Sequence, residues 1–75
     1  MRLPNKVTSY NESVLSKLPI ILDKLCYRDM LPYDLYIEVK ESFVGVSEYI
    51  DALDCLFALN VLKVNYESGE MHYAV

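Results

Sequence analysis

Between Asn11 and Tyr27 the apolar residues Val14, Leu18, Ile21, Leu22 and Leu25 recur at three- and four-residue steps, the spacing of one helical face. This predicts a first helix over roughly residues 12–27. Pro19 lies inside the run, where it would cost an internal hydrogen bond. The conflict is removed if Ser16 caps the helix and Pro19 sits in its first turn, where no amide is needed. Residues 1–11, with Leu3-Pro4, Asn5, Thr8, Ser9 and Asn11, show no helical period and predict an extended arm. After the turn Arg28-Asp29-Met30, Pro32 opens a second helix that runs to about Phe43, with Leu35, Val39 and Phe43 on one face and Asp34, Glu38 and Glu41 on another. Ile37 falls opposite the apolar stripe, next to Tyr33, and marks a candidate contact patch.

Gly45 closes the next linker and Ser47 is a suitable N-cap. Glu48 and Asp51 then put negative charge in the first turn of a third helix, where the helix dipole favours it. The expected buried arc of this helix is Tyr49, Ile50, Leu53, Leu56 and Phe57, and the outer arc is Glu48, Asp51, Asp54, Cys55 and Ala58. Asn60 stands where a left-handed residue ends a helix. Val61 to Tyr66 and Met71 to Val75 read as two strands joined by Glu67-Ser68-Gly69-Glu70, with Leu62, Val64, Tyr66, Met71, Tyr73 and Val75 on the buried face. A third short strand is expected near Gly45. The pattern defines a mainly α fold with a small β-hairpin, winged-helix-like: an arm over 1–11 and one domain over 12–75.

In DNA-reading winged helices the third helix enters the major groove and basic residues neutralise phosphates. Here Val46 to Leu62 holds no Lys or Arg, and the net charge is −4. Both weigh against direct DNA binding. Arg2 and Lys6 make the arm the most basic segment, too few charges for more than weak, salt-sensitive attachment.

The chain has 75 residues, 53% of them hydrophobic, enough for one modest core and far from a disordered composition. Seven Tyr is a high number for such a core and points to rings that face a partner. Cys26 and Cys55 read as reduced, half-buried small residues.

His72 is the one histidine and has no Ser, Cys or carboxylate at a spacing that would make it a base. The acidic run Glu48, Asp51, Asp54 reads as a solvated helix face, not a metal site. With only Gly45 and Gly69 there is no glycine-rich phosphate loop. Neither an enzyme nor a cofactor, metal or small-molecule site is expected. The start MRLPNKVTSY is not a signal peptide and nothing reaches the length of a membrane span, so a cytoplasmic location is expected.

Leu3-Pro4-Asn5-Lys6, Tyr10, Glu12-Ser13, Leu15 and Pro19-Ile20-Ile21-Leu22, with the acidic, Leu-rich helix from Ile50 to Asn60, resemble the small middle component of bacterial ABC three-component systems. The resemblance covers nearly the whole chain and departs in having Asn60 where the family's turn carries Gly. It implies the company of a Lamassu-type antiphage operon: an ATPase similar to SMC and Rad50 proteins, and a larger effector, often a nuclease. The implied role is a non-enzymatic adaptor that joins them by protein contacts and meets DNA only through the complex. By fold analogy, winged helices in SMC-type assemblies dock on the ATPase head or its coiled coil. The expected contact surfaces are Leu3 and Val7 in the arm, Tyr33 and Ile37, and the arc Glu48, Asp51, Asp54. Alternative readings are a small winged-helix transcriptional regulator and an antitoxin-like inhibitor of an effector.

Overall fold

The computed structural model describes residues 3–74, with side chains from Tyr10 onward. Among the described residues four α-helices, a 3₁₀ turn and a two-stranded antiparallel sheet follow one another: α1 Leu3–Ser16, α2 Leu18–Leu25, α3 Pro32–Val39, the 3₁₀ turn Lys40–Ser42, α4 Gly45–Ala58, β1 Leu62–Val64 and β2 Met71–Tyr73. The fold is mainly helical and ends in a hairpin wing, as the residue pattern predicts.

The segment expected as an extended arm is instead the start of α1. Pro4 falls in the first turn, where its missing amide costs nothing, and Leu3, Val7, Tyr10 and Val14 follow at three- and four-residue steps among polar neighbours. The helix predicted over 12–27 is two helices. Pro19 cannot donate to the carbonyl four residues back, so the chain breaks at Lys17 and α2 restarts with Pro19 in its first turn. Ile20 N–H donates to Lys17 O at 3.1 Å, and Ser16 Oγ turns back to Ser13 O at 2.8 Å. Helix α3 begins at Pro32 as expected.

Helix α4 starts at Gly45, whose φ of +80° turns the chain into the helix, and Ser47 is not its cap. At its other end Asn60 takes φ +62°. Asn60 N–H donates to Phe57 O and Val61 N–H to Leu56 O, both at 3.0 Å, which is a Schellman closure with Asn in the left-handed position.

The strands pair Leu62 with Tyr73, Lys63 with His72 and Val64 with Met71. Leu62 and Met71 are buried and Val64 is half-buried, but Tyr73, expected on the buried face, is 37% exposed at the last position of its short strand. Tyr66, expected on the buried face, is 95% exposed because the strand ends before it, in the turn. Val75 lies outside the described residues. The third strand contribution comes from Met30, not from the neighbourhood of Gly45: Met71 N–H donates to Met30 O at 2.8 Å and Met30 N–H to Met71 O at 3.2 Å. The order from α2 onward is therefore helix, bridge, helix, helix, hairpin, the winged-helix order, with α1 added in front.

The core gathers Ile21 and Leu25 from α2, Leu35 and Val39 from α3, Tyr49, Ala52, Leu53 and Leu56 from α4, and Leu62 and Met71 from the sheet. Val14 adds the end of α1. Tyr49 is its aromatic centre: its ring centroid lies 4.9 Å from that of Tyr36 and, in a T-shaped pair, 5.6 Å from that of Phe43. Its hydroxyl donates to Pro32 O at 2.7 Å, tying α4 to the start of α3.

Candidate interaction surfaces

Glu48, expected on the outer arc of α4, is 3% exposed. It accepts from Lys17 Nζ at 2.6 Å, from Ser13 Oγ at 2.9 Å and from Val44 N–H at 2.8 Å. The last contact reaches back to the amide before the helix, which the glutamate of a capping box also does, so a carboxylate closes the helix start that a Ser47 hydroxyl was expected to close. Lys17 also lies 5.5 Å from the centroid of the Phe43 ring. The Lys17 ammonium and the Val44 amide hold the Glu48 carboxyl below its ordinary pKa, against the opposing effect of burial. Glu48 is thus a fastener between the α1–α2 junction and α4 and drops out of the contact surface. Charge alone placed it outside, because its partner is 31 residues away in sequence.

Asp51 and Asp54 are exposed as expected. Asp51 accepts a hydrogen bond from the Tyr10 hydroxyl, which pins α1 along this flank of α4 and pushes the Tyr10 pKa up to about 12. Ile50, expected in the core, is 44% exposed, and Val46 one turn before it is 54% exposed. Tyr49 and Leu53 take the buried side, leaving Val46 and Ile50 on the margin. The open face of α4 therefore presents Val46, Ile50, Asp51 and Asp54, apolar and acidic without a cation.

Tyr33 is 70% and Ile37 45% exposed, one turn apart on α3. They line an open groove of about 540 Å³, with Met30 and Asp29 from the α2–α3 loop and Glu70 from the hairpin. On its rim Glu38 pairs with Arg28 at 3.0 Å and Lys24 at 3.6 Å. The patch read from Tyr33 and Ile37 is one wall of this groove. The loop and hairpin residues opposite are joined to it by the Met30–Met71 bridge, a pairing that no local spacing announces. The side chains of Leu3 and Val7 lie outside those described.

Cys26, expected half-buried, is exposed, while Cys55 is partly covered. Among the described residues no group of three His, Cys, Asp or Glu could hold a metal ion, and no helix is long and apolar enough to cross a membrane.

These features define a small winged-helix-like module whose third core helix carries an apolar and acidic face. The chain belongs to the family described as ABC-three component (ABC-3C) system Middle Component 7, whose family model matches residues 3–71. The description is that of one component of a system with other parts. No curated protein and no solved structure gives a significant match.

Proposed function

We propose that this chain is a non-enzymatic adaptor subunit of a cytoplasmic antiphage defence complex. It links an SMC/Rad50-like ABC ATPase to a larger effector, often a nuclease, through protein contacts, and meets DNA only through the complex. The observation that carries this reading is the open face of α4. Where a DNA reader of this fold would present Lys and Arg, this chain presents Val46, Ile50, Asp51 and Asp54. Apolar side chains beside carboxylates suit a basic protein surface and repel phosphate. Membership of the middle-component family supplies the setting. The contact surfaces on this reading are Asp51 and Asp54 on α4, Tyr33 and Ile37 on α3, and Leu3 and Val7 in α1.

Co-expression with the products of the two adjacent genes tests the proposal. The expected result is a complex that stays together through affinity and size-exclusion steps. A chain that elutes alone beside an expressed SMC-like ATPase and effector overturns it.

A further inference from the structure

The groove beside α3 has a chemistry more specific than that of a general contact patch. Its lining sets the apolar Met30, Tyr33 and Ile37 beside one cation, Arg28, and four carboxylates, Asp29, Asp34, Glu38 and Glu70. Glu38 is matched by Arg28 and Lys24, but among the described residues no ion pair engages Asp29, Asp34 or Glu70. Three carboxylates without an ion pair thus share the groove with an exposed Tyr and Ile, leaving its lining net acidic even with Arg28 present.

The walls are fixed in advance. The paired backbone bonds between Met30 and Met71 hold the loop against the wing. In the hairpin turn Asn65 Oδ1 accepts from Glu67 N–H at 2.9 Å, Asn65 N–H donates to Glu70 O at 2.8 Å, and Gly69 N–H donates to Asn65 O at 2.7 Å. Gly69 turns at φ +80°, with a Leu31 methyl 3.4 Å from where a Cβ would stand, so Glu70 follows a braced turn. A preformed cleft with apolar lining and a few charges is the usual form of a recognition site, and pre-organisation lowers the cost of binding.

We infer that this groove takes a short basic segment of a partner protein, seating one aliphatic or aromatic side chain between Tyr33 and Ile37 and placing Lys or Arg against Asp29, Asp34 and Glu70. Charge complementarity selects the occupant. An acidic peptide or a nucleic acid strand meets like charge on the rim, and an uncharged apolar segment leaves three carboxylates to be desolvated without a partner. The inference rests on the adaptor reading for its setting, and its chemistry can be tested separately.

The probe is a fluorescein-labelled peptide with two leucines one helical turn apart flanked by four lysines, titrated into the full chain in low salt. Two controls carry glutamates for the lysines, or alanines for the leucines. Binding of the first at least tenfold tighter than of either control is expected, with at least tenfold loss in Ile37→Ser and in Glu70→Lys, and weakening as salt rises. Both positions lie outside the core, and unchanged circular dichroism and thermal midpoint confirm that the variants fold. Equal binding of the three peptides, or full affinity in Ile37→Ser, overturns the inference. So does a wild-type dimer that Ile37→Ser dissociates, which would assign the groove to a second copy. A chain that binds the peptide as expected yet fails to co-purify with its neighbours would overturn the adaptor reading and leave the groove's chemistry standing.

Discussion

Glu48 holds three donors at once, and a buried carboxylate so surrounded matters more to stability than any surface charge here. Glu48→Gln keeps the shape but leaves the Lys17 ammonium without an anion. A loss of about 1–3 kcal/mol, the usual cost of an unmatched buried group, is expected in urea unfolding. The pH dependence has a definite sign. The folded pKa lies below the ordinary 4.5, so the contribution is present above pH 4.5 and disappears as pH falls through the folded value. The gap between the native chain and Glu48→Gln should therefore narrow below pH 4.5, and a gap constant with pH would show that the charge is irrelevant. Tyr10 titrates with the opposite sign. Its phenol stays protonated to about pH 12, so the contact with Asp51 is present below pH 10.0 and is lost as pH rises through 12. In an ultraviolet titration Tyr10→Phe should remove one late-ionising phenol, leaving Tyr49, whose pKa burial also raises.

At the scale of elements, helix ends set by local chemistry behave differently from those set by distant partners. Asn60 is forced to φ +62° by a closure that uses its own amide and that of Val61. Asn60→Val puts a β-branched residue in the left-handed region and should cost about 1–2 kcal/mol, while Asn60→Gly should be neutral or slightly stabilising. Thermal midpoints of the two variants check the contrast, and equal midpoints would remove the conformational argument. The same distinction explains what the sequence could reveal. Asn60 and Pro32 act within a few residues of themselves, so the end of α4 and the start of α3 are legible, whereas Pro19 marked a first turn without revealing that residues 12–27 form parts of two helices. The helical start of α1 was not, because its Pro4 and polar neighbours look like a loop until Tyr10 and Ser13 meet α4. Ser47 has the right side chain for a cap, yet Glu48 takes the amide that matters, and only the position of Lys17 explains why a carboxylate turns inward. The Tyr33 and Ile37 wall of the groove could be read from α3 alone. Its acidic opposite wall depends on the bridge between Met30 and Met71, 41 positions apart in the numbering.

For the molecule as a whole, the arrangement of charge separates the two uses of a winged-helix shape. The net charge is −4, and α4 has no cation to offer phosphate. A gel-shift titration of the isolated chain with duplex DNA in low salt should show no sequence-dependent complex, since counter-ion release needs basic contacts that this face lacks. Tight, salt-sensitive binding would favour the regulator reading. The stronger test separates folding from assembly on one surface. Asp54 is exposed and makes no ion pair among the described residues, so Asp54→Lys should leave the unfolding free energy within about 0.5 kcal/mol of the native chain. Glu48→Lys would instead place two ammonium groups together in a half-buried site and should unfold the α1–α2 junction. If the open face of α4 meets a basic protein surface, Asp54→Lys puts like charge against it, and co-purification with the neighbouring subunits should fall while the monomer's melting curve stays put. Retention of the complex by a folded Asp54→Lys chain would remove α4 from the interface.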